Sequence, residues 1–164
     1  MADPAWLNSE QQGAWRALVT VPRRLMARLD ADLQDQRGPA LPEYEVLAYL
    51  SEAPEQSMRM AELAELLVLS PSGLTRRLDG MVRDGLVERR ACPSDRRGSL
   101  AVLTAEGRRR LEDAAPAHLD SVRAYVIDQL TREDLLGLAA AMGRIGDALD
   151  AGAEPSAGPL PRPA

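Results

Sequence analysis

Apolar residues recur every three or four positions through the first third of the chain, a spacing that predicts helices. The first helix begins after a cap at Asn8 or Ser9, and Pro22 inside it predicts a kink or a fresh start. A second helix begins near Pro42, because a proline ring suits the first helical turn, and residues 52–57 then form a loop. The inward positions of the second helix are Val46, Leu47 and Leu50.

Capping residues place two helices in the middle of the chain. Residues 61–67 predict a short third helix, and the pair Ser70-Pro71 is a strong start for a fourth. Gly85 is a typical residue for its end.

Two further helices follow, and both begin at a threonine. Thr104 caps the fifth, which carries apolar residues as far as Leu130. Thr131 and Asp134 form a capping box for the sixth. The apolar stripe of the sixth helix consists of Leu135, Leu138, Met142, Ile145 and Leu149. Residues 151–164 are rich in proline and lack an apolar period, which predicts a disordered tail.

Between the fourth and fifth helices the pattern is extended. Residues 86–90 and 99–103 predict two strands around a charged segment, 91–98, which forms the tip of a β-hairpin. The tip carries Asp95, Arg96 and Arg97. Two arginines on a protruding loop suit the narrow minor groove of DNA, although a solvated charged turn is the alternative. The element order predicts a mainly α fold with a small β-hairpin wing, the winged helix-turn-helix arrangement.

The fourth helix separates apolar from polar residues cleanly. At 100° per residue from Ser72, an apolar arc spans about 180° to 280° and a polar arc about 300° to 40°. The apolar arc holds Leu74, Leu78, Met81 and Val82, and the polar arc holds Ser72, Thr75, Arg76, Asp79 and Arg83. Hydroxyls and guanidiniums of this kind reach base edges and phosphates. The alternative is an ordinary amphipathic surface helix with an Asp79–Arg83 pair.

Composition excludes several other classes. The chain has 164 residues, with one Cys and one His, so neither a disulfide scaffold nor a multi-ligand metal site is expected, and no cofactor is predicted. A nucleophile elbow, a glycine-rich phosphate loop and a His pair are all missing, which argues against an enzyme. The N-terminus lacks the pattern of a signal peptide and no apolar stretch is long enough to span a membrane, so we expect a cytoplasmic protein.

Charge is distributed unevenly along the chain. The net charge is −5, yet the segment from Met58 to Arg110 holds 11 arginines and 7 acidic residues, against 9 and 18 elsewhere. A basic middle between acidic ends fits a domain with one phosphate-facing surface.

Four short motifs resemble the MarR family of bacterial transcription regulators: residues 69–78 (LSPSGLTRRL), 84–87 (DGLV), 95–97 (DRR) and 103–107 (LTAEG). With helices in the same order, the resemblance extends over nearly the whole chain except the tail. It implies dimerisation through residues 1–38 and 105–150, a DNA-binding domain at 39–104, and a homodimer on a pseudo-palindromic double-stranded operator. Carried over by position, Ser72, Thr75, Arg76 and Arg77 become DNA contacts of the fourth helix, and Arg97 becomes the wing arginine that Asp95 orients. The full set of expected DNA contacts adds three residues of the same helix and wing: Ser70, Arg83 and Arg96. A winged-helix module that binds protein instead of DNA is the alternative.

The resemblance also implies release from DNA by a small aromatic effector or an oxidant. The residues that could line an effector pocket are Trp15, Arg16, Tyr44 and His118. The plainer interpretations are that Trp15 is a core residue and that His118 is an exposed or hydrogen-bonded helix residue. Oxidant-sensing members use a cysteine in the first helix; here Cys92 lies on the wing, where an inert surface thiol is the plainer interpretation.

Overall fold

A computed structural model of the chain describes residues 6–92 and 95–152, with the backbone alone at 95–97. Within these residues it is mainly helical, with a small antiparallel sheet, as predicted. The elements are α1 Ser9–Asp35, α2 Leu41–Glu52, β1 Ser57–Arg59, α3 Met60–Leu66, α4 Pro71–Arg83, β2 Val87–Cys92, β3 Asp95–Leu103, α5 Ala105–Tyr125 and α6 Arg132–Asp150. Short 3₁₀ turns occupy Pro54–Gln56 and Ile127–Gln129.

The chain divides into two compact units. One consists of residues 28–121, and the other of residues up to 27 together with those from 122 onward. The helix-turn-helix and the wing lie entirely in the first of these, which we call the winged unit. Of the predicted tail 151–164, all but the first two residues lie outside the described part of the chain.

The winged unit is built around one apolar core. Its members come from α2, α3, α4 and the sheet: Val46, Leu47, Leu50, Leu63, Ala64, Leu74, Leu78, Met81, Leu86, Val87, Ala101 and Leu103. Each large side chain fully removed from water contributes about 1.5 to 3 kcal/mol relative to an exposed one. The predicted inward positions of α2 are thereby confirmed.

Side-chain caps begin α1, α5 and α6 where the sequence places them. Asn8 Oδ1 accepts from the backbone N–H of Gln11 at 2.9 Å, so Asn8 caps α1. That helix is one continuous element through Pro22, without a fresh start there. Thr104 Oγ1 accepts from the N–H of Gly107 at 2.9 Å, and Thr131 and Asp134 form the predicted capping box of α6.

The wing differs from its prediction in two ways. β2 extends to Cys92 and β3 begins at Asp95, so most of the segment predicted as a loop belongs to strands. The ladder is made by backbone groups, which pair whatever the polarity of the side chains. In addition, β1 pairs with β3, with Met58 opposite Ala101, and gives a three-stranded sheet in the order β1-β3-β2. Three residues are too few to show a strand period, so the sequence predicted no strand there.

The fifth helix ends earlier than predicted. α5 stops at Tyr125, where Val126 has φ −128° and ψ −63°, and Leu130 lies beyond it in extended conformation. Gln129 Nε2 donates to the carbonyl of Ala124 at 2.9 Å and satisfies one free acceptor of the last turn. Adjacent β-branched residues at 126 and 127 favour the break.

Candidate nucleic-acid interface

The N-terminus of α4 is held by its own side chains. Ser70 Oγ accepts from the N–H of Gly73 at 3.1 Å, and Pro71 occupies the first turn. Ser72 Oγ lies 3.2 Å from Ser70 Oγ. Both residues are exposed, and the Ser72 hydroxyl bonds the hydroxyl that makes the cap. Ser70 therefore acts first as a structural cap, and any contact it makes with a ligand is additional to that.

The inner face of α4 matches the predicted apolar arc except at one edge. Leu74, Leu78 and Met81 are fully buried in the core. Val82, at the edge of the arc, is 38% exposed. Three buried anchors over two turns fix the rotation of the helix, and this rotation turns the polar arc outward.

The outer face of α4 carries two guanidinium groups that form no ion pair with the described residues. Ser72, Thr75, Arg76, Asp79 and Arg83 are all exposed. Arg76 and Arg83 form no ion pair with any residue that the structure describes. Thr75 Oγ1 donates to the carbonyl of Pro71 at 2.9 Å, which leaves its oxygen free to accept but uses its proton. Arg77, which lies between the two arcs at about 140° from Ser72, is half-buried.

Asp79 bonds the wing and not its own helix. Arg89 Nη2, on β2, lies 2.8 Å from Asp79 Oδ1 and also donates to the carbonyl of Thr75 at 2.9 Å. The Asp79–Arg83 pair of the alternative interpretation is therefore not formed. One guanidinium nitrogen joins β2 to two positions of α4 that are one turn apart.

The rest of the wing is described only in part. Arg90 pairs with Glu88 along β2. The predicted wing contacts Asp95, Arg96 and Arg97 belong to β3, but their side chains lie outside the described part of the structure. Cys92 is 7% exposed, so the interpretation as a surface thiol is wrong. Cys92 lies opposite Asp95, at the last residue pair between β2 and β3.

Two of the three consecutive arginines of α5 bond neighbouring side chains. Arg108 bonds Gln56 and Glu112, and Arg109 bonds Glu106 and Asp113. The guanidinium of Arg109 lowers the pKa of Glu106 through its hydrogen bond. Arg108 and Arg109 therefore behave as a solvated helix face.

Of the four predicted effector residues, two meet in the winged unit. The rings of Tyr44 and His118 lie 4.4 Å apart between centroids. His118 Nδ1 is buried and has no hydrogen-bond partner among the described residues, so the interpretation of His118 as exposed or hydrogen-bonded is wrong. Burial lowers the pKa of His118 and raises the pKa of Tyr44.

Trp15 and Arg16 lie in the other unit. Trp15 is 58% exposed within this chain, so it is not a core residue of the unit. Arg16 Nη2 donates to Gln12 Oε1, one turn earlier on α1.

The described residues form neither a metal site nor a helix that could span a membrane. No group of three or more His, Cys, Asp or Glu side chains in that part of the chain is placed to hold a metal ion. None of the helices described is both long enough and apolar enough to cross a lipid bilayer.

A short helix, a turn, a capped helix with one buried and one cationic face, and a paired wing define a winged helix-turn-helix protein. A family model for the MarR family matches residues 37–98. AbsC, a MarR family transcriptional regulator from Streptomyces coelicolor, is 40% identical over 89% of this chain and 98% of its own, with a TM-score of 0.84. The chain belongs to the MarR family of transcriptional regulators.

Two further relatives add detail. Sco3205, a MarR family transcriptional regulator from Streptomyces coelicolor solved in complex with DNA, is 36% identical over 96% of this chain and all of its own, with a TM-score of 0.83. The HTH-type transcriptional repressor YetL of Bacillus subtilis is 34% identical over 90 residues, 55% of this chain and 54% of YetL. The matched segment thus spans about half the length of that repressor.

Proposed function

We propose that the protein is a sequence-specific DNA-binding transcription regulator, acting as a repressor on a pseudo-palindromic operator. The observation that carries this is the outer face of α4, where Arg76 and Arg83 are exposed without an ion pair while Leu74, Leu78 and Met81 fix the opposite face. Sco3205, bound to DNA, and YetL, a repressor, support it. As such a regulator it works without catalysis, beside the chromosome in the bacterial cytoplasm.

In this mechanism α4 enters the major groove. Arg76, which lies on the polar arc at about 40° from Ser72, forms two hydrogen bonds with guanine O6 and N7, a contact worth about 1 to 3 kcal/mol of discrimination. Arg77, about 100° further round, meets phosphate instead. Ser72 and Thr75 add polar contacts, with Thr75 as an acceptor. Arg83 and Ser70 meet the sugar-phosphate backbone at either end of the helix.

The wing acts through charge and groove shape. Arg96 and Arg97 enter the adjacent minor groove, and Asp95 orients Arg97. Two copies of the chain, joined through residues 1–38 and 105–150, place two wings on half-sites about one helical turn apart. A small aromatic effector bound at Tyr44 and His118 releases the dimer from DNA.

The test is binding to the region upstream of the protein's own gene, followed by single-base variants of the bound site. We expect Arg76→Ala to lose discrimination between variants and to lose less affinity for random DNA. Arg77→Ala should weaken binding to every sequence about equally, and Arg144→Ala, an exposed arginine of α6, serves as the charge control. Equal losses on all sequences for Arg76→Ala would assign it to phosphate. Failure of the wild type to bind any duplex would leave the protein-binding module as the remaining function.

A further inference from the structure

Arg89 forms an ion pair with the only carboxylate of α4. Asp79 is the one acidic residue within α4, and it lies on the outer face with Arg76 three residues before it and Arg83 four residues after it. At those spacings an aspartate pairs readily with either arginine. In the structure Asp79 pairs with neither, because Arg89 Nη2 lies 2.8 Å from its Oδ1.

The same nitrogen makes a second bond that fixes its position. It donates to the carbonyl of Thr75 at 2.9 Å, an oxygen that accepts the helical bond of α4 and still has a second lone pair. Arg89 lies in the β2–β3 ladder opposite Ala101. The guanidinium is thus tied to the sheet through its backbone and to one turn of α4 through two bonds.

This arrangement does little for stability. The side chains of Arg89 and Asp79 are 33% and 55% exposed, and exposed ion pairs contribute about 0 to 1 kcal/mol. The Arg89–Asp79 pair instead changes the charges that the outer face of α4 presents to a ligand. With Asp79 neutralised from the wing, Arg76 and Arg83 remain available, and the carboxylate does not repel phosphate.

We propose that Arg89 is a positioning residue for DNA recognition: it holds Asp79 away from Arg76 and Arg83 and sets the wing against α4. The inference rests on the proposed DNA-binding function. Without Arg89, Asp79 forms an ion pair with Arg76 or Arg83. Discrimination between operators then falls, although neither of these two arginines has been substituted.

A double-mutant cycle on operator binding tests it. Removing a negative charge from a DNA-binding surface strengthens binding in any background, so the informative quantity is the difference between backgrounds. We expect Asp79→Ala to change operator affinity little in the wild type and to raise it about fivefold or more in Arg89→Ala, with recovery of discrimination. Asp84→Ala, an exposed acid just beyond α4, is the control and should act equally in both backgrounds. Arg89→Lys should retain part of the wild-type discrimination.

A second readout needs no DNA. In the free protein, Arg89 Nη protons should exchange slowly by nuclear magnetic resonance and become fast in Asp79→Asn. Equal effects of Asp79→Ala in both backgrounds, or fast Arg89 exchange in the wild type, would overturn the proposal. If the wild type binds no DNA but its Arg89 Nη protons exchange slowly, the proposed DNA-binding function is wrong. The Arg89–Asp79 contact is then still confirmed.

Discussion

Val68 adopts, at φ 52°, a left-handed conformation that is costly for a β-branched residue. It ends α3, where its N–H donates to the carbonyl of Glu65 at 3.0 Å and the N–H of Leu69 donates to that of Ala64 at 2.8 Å. This pair of bonds is the Schellman motif, in which glycine usually takes the left-handed position. Its side chain is 90% exposed, so little packing offsets the strain.

We therefore expect Val68→Gly to raise the free energy of unfolding by about 1 kcal/mol, the relief of strain exceeding the extra chain entropy of glycine. Val68→Ala keeps a Cβ and should gain less. Urea denaturation of the three proteins measures this. A Val68→Gly protein less stable than the wild type would show that the side chain makes a stabilising contact.

His118 gives a second prediction at the same scale. Burial lowers its pKa in the folded state from the ordinary 6.5, so as the pH falls below 6.5 the unfolded chain takes up a proton before the folded chain does. Stability should consequently decline as the pH falls from about 7.5 through the ordinary pKa of 6.5. His118→Phe keeps a ring against Tyr44 and should flatten the profile in this window, as chemical denaturation at each pH will show. An unchanged slope would assign the decline to other groups.

Among elements, α5 and the start of β2 approach closely at Gly107. A Cβ there would lie 2.1 Å from the carbonyl oxygen of Leu86, which also accepts from Thr104 Oγ1 at 3.0 Å. Gly107→Ala should destabilise the winged unit by about 3 kcal/mol, since backbone has to move. Gly80→Ala in α4 is the matched control, because its Cβ would meet only Arg83 Nη2 at 3.8 Å, and it should stabilise by about 0.5 to 1 kcal/mol. Thermal unfolding compares the two, and similar effects would contradict the close approach.

The elements that could be predicted from the sequence are those whose ends are made locally. The Ser70 cap and the Thr131–Asp134 box join residues three apart, so the motif alone contains the bonding partners. β1 and the Arg89 contact could not be predicted in this way. β1 exists only because β3, more than forty residues later, pairs with it, and Arg89 lies 14 residues from Thr75. The polar face of α4 could be predicted from the 100° rotation per residue of a helix. The charges of that face that stay without an ion pair could not, because Arg89 of the wing decides them.

At the scale of the whole molecule, the winged unit and the rest of the chain differ in what they bury. The winged unit has the continuous core, while α6 has no buried side chain in the isolated chain. Its stripe residues Leu138, Met142, Ile145 and Leu149 are all exposed. A run of exposed apolar side chains along one helix face is typical of an interface, and the family's homodimer is the partner we expect.

Ile145→Glu should therefore convert the dimer to a monomer at micromolar concentration, because a carboxylate buried in an apolar seam is unpaired. Ala140→Glu is the control: it is exposed on α6 about 200° from Leu138, whereas Ile145 lies about 340° round, within the stripe. Sedimentation velocity gives the oligomeric state, and circular dichroism checks that both variants fold. The monomer should also bind a full operator about a hundredfold more weakly, since its second half-site contact is no longer intramolecular. An Ile145→Glu protein that sediments as a dimer would place the seam elsewhere than on the stripe of α6.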